Sequence, residues 1–201
     1  MIASQKLMQS VKRVVGYSPR ALYRNNIESE LSDMLTDRML LAARRAFPGE
    51  RVDVAIGNFG GIRCDLPQGE VTADDFISMF PFHSPLVLVK VKGSRLAEIF
   101  DSLASENLQP FSGATIVARK GVAEIVKVSG REIDPEEVYG IASVDFLLYG
   151  GDNLFLAKDA LEILVADDIE VIDFIMEYVD SLGKAGAPIT YRRDSRMTFM
   201  K

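Results

Sequence analysis

The sequence predicts an α+β fold, in which a single domain combines a mixed β-sheet with packed helices. The chain has 201 residues, 48% of them hydrophobic and 26% charged, which is an ordinary globular composition with enough length for one sizeable core. From about residue 28 onward, segments with helical periodicity alternate with short segments rich in β-formers. No repeat, linker or low-complexity tract interrupts this alternation. We therefore assign residues 1–25 to an irregular N-terminal arm and residues 26–201 to one domain.

The first half of this domain is predicted to contain three helices and two strands. Apolar residues recur at helical spacing up to a point shortly before Pro48, so the first helix ends there. Thr72 and Asp75 have the spacing of a capping box, which starts a short helix that must end before Pro81. The predicted elements are a helix over 31–46, a strand over 52–56, a helix over 73–80, a strand over 86–92 and a helix over 96–103.

The second half is predicted to consist mostly of strands, with one further helix. Asp167 and Glu170 have the spacing of a capping box and are expected to start that helix. We interpret the acidic pairs Asp74-Asp75 and Asp167-Asp168 as helix caps rather than catalytic carboxylates, because negative charge is favourable at a helix start. The predicted elements are strands over 115–118, 124–128, 138–147 and 161–166, a helix from 167 to about 182, and terminal strands over 189–191 and 197–199.

Net charge and the scarcity of two side chains exclude several classes of function. The formal charge of −6 disfavours a nucleic-acid polymer as a partner, because the polymer is also negatively charged. His83 is the single histidine and Cys64 the single cysteine, so the chain cannot form a Cys/His zinc site or an internal disulfide. No apolar run approaches the roughly 20 residues that span a bilayer. The first residues do not resemble a secretory signal, which fits a cytosolic protein and a processed chain equally well.

A glycine-rich turn after the first predicted strand is the most informative candidate for a binding loop. Gly60 and Gly61 allow the backbone to turn sharply and to approach a ligand closely. Arg63 has a planar guanidinium that suits a phosphate or a carboxylate, and Asn58 offers both a donor and an acceptor to a heterocycle edge. The alternative is an ordinary strand–loop connection in which Arg63 pairs with Asp65.

Two further segments carry candidate contacts to a ligand. Asp152 follows Gly150 and Gly151, and its carboxylate can accept hydrogen bonds from two vicinal hydroxyls, such as those of a ribose. The alternative is that Asp152 caps the turn with its own side chain. Phe82 lies between two prolines, where its ring can stack on a flat ligand, and the alternative for this ring is core packing.

Four short motifs occur in a fixed order along the chain, and together they are more specific than any one of them. They are Asn58-Phe59-Gly60-Gly61-Ile62-Arg63, Phe80-Pro81-Phe82, Val91-Lys92-Gly93-Ser94-Arg95-Leu96, and Phe146 followed by Gly150-Gly151-Asp152. In this order and spacing they resemble the C-terminal, substrate-binding domain of the 5′-nucleotidase family. The resemblance covers about residues 22–200 and implies the α+β fold of that domain.

The resemblance also implies a role for each matching side chain. Phe82 and Phe146 would hold the nucleobase between their rings, and Asn58 would form a hydrogen bond near it. Asp152 would hold the ribose hydroxyls, and Arg63 would bind phosphate. The ligand implied for this chain is therefore a nucleotide or a nucleoside.

The glycines and a second arginine complete the binding residues that the resemblance implies. Gly60, Gly61 and Gly151 would shape the two loops around the ligand. Arg24 lies nearest to a further arginine of the family, although its register is off by one residue. Phe59 stands where the family has a glycine, and we expect this replacement to narrow the loop.

Members of the family hydrolyse phosphate esters at a two-metal site in a separate N-terminal domain. Such a site needs several His, Asp and Asn ligands, and a chain with His83 as its single histidine cannot supply them. We therefore predict no catalytic residues, no metal ligands and no cofactor in this chain, and expect divalent metals only in the missing catalytic domain. The chain therefore resembles one part of a phosphate-monoester hydrolase, and this part is not the one that carries the catalytic metals.

The predicted function is nucleotide recognition for a 5′-nucleotidase-type hydrolase in nucleotide catabolism. The domain would position base, ribose and phosphate for a metallophosphatase domain in the same chain or in a separate one. One alternative is a stand-alone nucleotide- or nucleoside-binding module without a hydrolytic partner, and another is an interaction protein that kept the fold and lost the cavity. The resemblance further suggests an extracytoplasmic location, in the periplasm or at the cell surface.

Overall fold

Four α-helices and eleven strands form the part of the chain that the computed structural model describes, residues 12–105 and 107–200. The helices are α1 (Glu30–Ala46), α2 (Ala73–Met79), α3 (Gly93–Ser105) and α4 (Val171–Lys184). The strands are β1 (Val14–Ser18), β2 (Val54–Ile56), β3 (Gly69–Thr72), β4 (Pro85–Lys92), β5 (Phe111–Ser112), β6 (Ala114–Arg119), β7 (Val122–Val128), β8 (Arg131–Glu132), β9 (Val138–Val144), β10 (Glu162–Glu170) and β11 (Met197–Met200).

The strands form three sheets, and the two larger ones are mixed, which confirms the predicted α+β class. The five-stranded sheet has the order β10-β4-β9-β2-β5, in which only β9 and β2 run parallel. The four-stranded sheet has the order β11-β6-β7-β8, with β11 parallel to β6. The third sheet pairs β1 with β3 in antiparallel orientation.

The main core lies around the five-stranded sheet. Both α1 and α3 contact β4 and β9. Side chains of a strand alternate between the two faces of its sheet, and β9 is buried at every position from Tyr139 to Val144. The centre of this sheet is therefore covered on both faces. Phe76, Phe100, Met34 and Met39 are among the largest side chains that are completely or almost completely buried there.

Capping boxes explain where two helices begin, and a close contact with a distant backbone restricts the first residue of a third. Ser29 and Ser32 form a capping box at the start of α1. The box predicted for α2 is confirmed, because the Thr72 hydroxyl accepts a hydrogen bond from the Asp75 amide and the Asp75 carboxylate accepts one from the Thr72 amide. Helix α3 begins at Gly93, where a Cβ atom would lie 1.9 Å from the carbonyl oxygen of Asp134, so a side chain has no room there.

The capping box predicted for α4 is misplaced by three residues. Asp167 and Asp168 do not cap a helix, because both are exposed residues of β10, which continues to Glu170. The pairing of β10 with β4 shifts between Ala166 and Glu170, and this irregularity carries the chain past the expected cap. The capping box lies one turn later, where the Glu170 amide donates to the Asp173 carboxylate at 2.8 Å.

The N-terminal arm is irregular over only part of its described length, residues 12–25; residues 1–11 of that prediction lie outside the described residues. Strand β1 pairs with β3, and Leu22, which is completely buried, exchanges two backbone hydrogen bonds with Leu66 at 2.9 and 3.0 Å. These pairings join positions more than forty residues apart, so the local pattern gave no sign of them. The strand predicted over 189–191 is absent from the described residues, and Ile189 instead donates one hydrogen bond to the Tyr17 carbonyl.

A buried arginine ties the C-terminal segment to α1. The guanidinium of Arg196 donates to the Asp37 carboxylate at 2.8 Å, to the Thr36 hydroxyl at 2.9 Å and to the Phe111 carbonyl at 2.8 Å. Its side chain is 8% exposed, and the carboxylate of Asp33 lies 3.8 Å away. Arg196 therefore holds together α1, β5 and the segment that leads into β11.

Asp33 gives the protein a specific pH dependence. Burial, assisted by the neighbouring Glu28, raises the pKa of this carboxyl group to about 7, although Arg196 and the Asp194 amide oppose the shift. Between about pH 4 and about pH 7, Asp33 is therefore protonated in the folded protein, whereas an aspartic acid in the unfolded chain, with a pKa of about 3.9, has lost its proton. The contribution of this proton to the free energy of unfolding is fully present below the pKa of the unfolded state. It is lost as the pH rises through the pKa of the folded state.

We expect Asp33→Asn to flatten the decline in the free energy of unfolding between about pH 4 and about pH 7. One proton bound only in the folded state accounts for a slope of at most about 1.4 kcal/mol per pH unit. Urea unfolding of the variant and of the original protein at a series of pH values measures the difference. Two parallel curves would show that Asp33 does not bind this proton.

Candidate functional site

Seven of the nine predicted site residues surround one cavity of about 310 Å³. They come from the loop after β2, the turn between α2 and β4, and the segment after β9. The cavity also contacts α1, the end of β9 and the start of α4. Its lining consists of Leu35, Met39, Asn58, Gly60, Gly61, Arg63, Phe80, Phe82, Ser84, Val144, Phe146, Asp152 and Val171.

The loop after β2 is held by its own side chains and by the second glycine loop. A Cβ atom on Gly61 would lie 2.7 Å from the side-chain oxygen of Asn58, so this position accepts only glycine without movement. The Asn58 amide nitrogen donates to the Asp152 carboxylate at 3.1 Å. The two glycine loops, which are 94 residues apart in sequence, therefore meet at the cavity through this hydrogen bond.

Phe59, which stands where the family motif has a glycine, does not line this cavity. Its backbone amide donates to the side-chain oxygen of Gln109 at 2.9 Å. Its ring is 8% exposed and lines a second cavity of about 280 Å³. Because the ring points into that second space, the replacement of a glycine by Phe59 fixes the loop without entering the first cavity.

Arg63 lies exposed at the cavity with its guanidinium close to an aromatic ring. One of its nitrogens donates to the Gly60 carbonyl at 3.1 Å, and the centre of the guanidinium lies 5.5 Å from the centroid of the Phe82 ring. The alternative pairing with Asp65 is not present, since Arg63 forms no ion pair with any described residue. A cationic group with most of its donors directed to solvent is therefore available to an anionic part of a ligand.

Phe82 and Phe146, which both line the cavity, are about half exposed although their side chains are large and apolar. Phe82 is 49% exposed and Phe146 51%, whereas the core rings of Phe76 and Phe100 are completely buried. Phe82 is therefore not a core residue, and the core-packing alternative for this ring is excluded. Phe82 occupies the proline-flanked turn before β4, and Phe146 lies in a single 3₁₀ turn directly after β9.

The second glycine loop has a strained backbone that positions Asp152. Gly150, with φ of 110°, and Asp152, with φ of 47°, both adopt left-handed conformations. Gly151 does not line the cavity, and a Cβ atom there would lie 2.2 Å from the carbonyl oxygen of Phe146 and 2.7 Å from its ring. Gly151 therefore acts by leaving room for Phe146 rather than by facing the ligand.

Arg24 lies outside the cavity. Its side chain is exposed, and its backbone amide donates to the Asp65 carboxylate at 2.7 Å. His83 is exposed in the turn beside Phe82, where its ring nitrogen lies 3.1 Å from the Glu170 carboxylate. Burial raises the pKa of the Cys64 thiol, which points to an unreactive side chain.

Several lining residues escaped prediction because their sequence signal is that of a core position. Leu35 and Met39 belong to the apolar face of α1, and Val144 and Val171 lie at the ends of β9 and α4. Ser84 lies within the proline-flanked turn and has no distinguishing sequence pattern. The four apolar residues contribute to the apolar part of the cavity lining, and Asn58, Arg63 and Asp152 contribute polar groups.

Residues 12–105 and 107–200 contain neither a cluster of metal ligands nor a helix that could span a membrane. No group of three or more His, Cys, Asp or Glu side chains lies together in a way that could hold a metal ion. No helix in these ranges is long and apolar enough to cross a membrane.

A family model supplies the first comparison with known proteins. The model described as 5′-nucleotidase, C-terminal domain, matches residues 11–159 of this chain. The match includes the glycine loop at Asn58, the aromatic turn at Phe82 and the second glycine loop at Asp152.

Individual relatives point to the same domain. Protein UshA of Yersinia enterocolitica is 32% identical over 122 residues, which cover 58% of this chain and 22% of that protein. Cell wall protein Lmo0130 of Listeria monocytogenes is 30% identical over 190 residues, which cover 86% of this chain and 24% of that protein. The chain thus spans less than a quarter of the length of these curated relatives.

A solved structure shows the same fold. The 5′-nucleotidase precursor from Thermus thermophilus superposes with a TM-score of 0.81 at 22% identity, and the match covers 100% of this chain and 42% of that chain. The mixed sheets and helices described above are therefore a known arrangement.

Proposed function

This chain belongs to the 5′-nucleotidase C-terminal domain family, and from this membership we propose that it is a nucleotide-recognition domain. It binds base, ribose and phosphate in the cavity of about 310 Å³ and presents the phosphate ester for hydrolysis. The observation that carries the proposal is the pair of half-exposed rings, Phe82 and Phe146, at one cavity with a free guanidinium and an aspartate.

Each part of a nucleotide has a matching group in this cavity. The flat base stacks between Phe82 and Phe146, since ring faces attract any heterocycle. Asp152, already oriented by Asn58, accepts hydrogen bonds from the ribose hydroxyls. Arg63 binds phosphate through charged hydrogen bonds. Stacking on two rings does not distinguish bases, so any preference arises from polar groups such as Asn58 and Ser84.

The metals of the hydrolytic reaction belong, in this proposal, to a metallophosphatase domain in the same chain or in a separate one. The described part of this chain brings together no set of side chains that fits a metal pair. Its contribution to hydrolysis is to hold and orient the ester. A divalent metal in the partner domain would activate water and stabilise charge on the phosphate.

We also propose that the chain acts outside the cytoplasm. One of its relatives is described as a cell wall protein, and the match to that relative extends over 86% of this chain. The stand-alone binding module remains the second candidate, and a metallophosphatase partner would decide against it. The half-exposed rings argue against an interaction protein that has lost its cavity.

We expect Arg63→Ala to weaken AMP binding while leaving adenosine binding nearly unchanged. A hydrogen bond to a charged group contributes roughly 1.5–3 kcal/mol, which corresponds to about one to two decades in the dissociation constant. Isothermal titration calorimetry with both ligands measures the two affinities.

Arg20→Ala is the matched control for this experiment, because Arg20 is an exposed arginine that pairs with Glu30 and does not line the cavity. Its effect on either ligand should be small. Equal losses of adenosine and AMP affinity in Arg63→Ala would show that Arg63 supports the loop instead of binding phosphate. Absence of binding by the unmodified chain to a panel of nucleosides and nucleotides would contradict the proposed function itself.

A further inference from the structure

Arg95 is an arginine of the first turn of α3 that the proposed function does not use. It belongs to the motif Val91-Lys92-Gly93-Ser94-Arg95-Leu96, and its side chain is only 14% exposed. Its guanidinium donates to the Phe155 carbonyl at 3.0 Å and to the Lys158 carbonyl at 3.2 Å. A third nitrogen pairs with Glu98 at 2.7 Å. Arg95 thus holds two carbonyls of one turn, residues 155–158.

The turn 155–158 is attached to the segment that carries Phe146. The Leu156 amide donates to the Leu147 carbonyl at 3.1 Å, and the Ala157 amide donates to the Leu148 carbonyl at 3.0 Å. Leu147 immediately follows Phe146, so these bonds reach the residue next to one of the two stacking rings. A shift of the turn therefore displaces the backbone that sets the position of Phe146.

The same turn also supports the glycine loop of Asp152. The Phe155 ring lies against Gly150, where a Cβ atom would be 2.9 Å from the nearest ring carbon. The loop also has left-handed backbone conformations at Asp152 and Asn153, which are strained for residues other than glycine and are held by surrounding contacts. Phe155, anchored through its carbonyl by Arg95, is one of these contacts.

We propose that Arg95 is a positioning residue for nucleoside recognition: it fixes the turn 155–158, and this turn sets the placement of Phe146 and Asp152. The inference rests on the proposed function of the cavity and assigns a role to a residue that does not line it. An arginine suits this role because its rigid fork can donate to two carbonyls at once, which the ammonium group of a lysine does less well.

The first test compares Arg95→Met with the original protein in binding adenosine and AMP. Loss of the two hydrogen bonds should weaken both ligands by about threefold to tenfold, because base and ribose contacts depend on the same loop. The ratio of AMP to adenosine affinity should stay constant, since Arg63 lies on a different loop. This pattern differs from that of Arg63→Ala, which lowers the AMP affinity selectively.

The second test measures hydrogen exchange in the free protein. The amides of Leu156 and Ala157 should exchange faster in Arg95→Met than in the original protein, because their turn has lost its anchor. Arg119→Met is the matched control, since Arg119 pairs with Glu124 on the four-stranded sheet and does not line the cavity. Arg95→Lys should recover part of the ligand affinity and part of the protection of the Leu156 and Ala157 amides from exchange. If Arg95→Met does not fold, both measurements are made on Arg95→Lys.

The outcomes separate this inference from the proposed function. Unchanged exchange at Leu156 and Ala157 would overturn the inference whatever the ligands do. Faster exchange with unchanged adenosine affinity would overturn it as well, because the turn would then not position the site. If the original protein binds no nucleoside or nucleotide, the proposed function fails, and with it the recognition role of Arg95; the exchange experiment then still decides whether Arg95 anchors the turn.

Discussion

Replacing Phe82 or Phe146 with leucine is expected to weaken adenosine and AMP binding by about 1–3 kcal/mol, which is about a fivefold to hundredfold increase in the dissociation constant. Leucine keeps much of the apolar volume and removes the flat aromatic face. Because both rings are about half exposed in the free protein, each replacement should cost little folding stability. Calorimetric titration and thermal unfolding of the same samples measure the two effects.

Phe100→Leu is the matched control for these variants. Phe100 is completely buried and packs edge-to-face against Phe111, with ring centroids 5.6 Å apart. Its replacement should lower the free energy of unfolding by roughly 1–3 kcal/mol and leave the affinity unchanged wherever the variant stays folded. If Phe82→Leu and Phe146→Leu behave like this control, with large stability losses and intact affinity, the two rings do not hold a base.

Arg196→Met is expected to destabilise the fold by about 3 kcal/mol or more. The change removes hydrogen bonds to Asp37, Thr36 and Phe111, and it leaves the half-buried carboxylate of Asp37 without its cation. An unpaired buried charge is costly, whereas methionine restores only the apolar part of the side chain. Urea unfolding at neutral pH measures the loss.

Arg45→Met is the matched control for Arg196→Met. Arg45 pairs with Glu177 at 2.6 Å, but both side chains are about 60% exposed, so the pair should contribute at most about 1 kcal/mol. Similar small losses in the two variants would show that the contacts of Arg196 are no stronger than an ion pair at the surface. In that case Arg196 would not anchor the C-terminal segment to α1.

Local signals made the helices and long strands predictable. The apolar period of α1 and the capping box at Thr72 depend on residues only a few positions apart, and both elements lie where the pattern placed them. Strand β4 was predicted to within one residue, because its run of β-forming residues is also a local pattern. The start of α4 was missed because acidic residues spaced three apart occur twice, at Asp167 and again at Glu170, and only the tertiary structure selects the second.

Long-range contacts were not predictable in the same way. Strands β5 and β8 have two residues each, too few for an alternating pattern. Strand β5 exists because the distant strand β2 pairs with it. Arg196 and Asp37 are 159 positions apart, and the sequence around each of them gives no indication that they are in contact. In the site, the loop residues could be named from motifs, whereas Leu35 and Met39 have the pattern of ordinary core residues.

The most direct test of nucleotide recognition is a nuclear Overhauser experiment on the chain saturated with AMP, with both phenylalanine rings assigned through Phe82→Leu and Phe146→Leu. We expect contacts from the base protons to the ring protons of Phe82 and of Phe146 in the same complex, since a stacked base lies within contact distance of both rings. Bound AMP that shows contacts to neither ring would contradict this expectation.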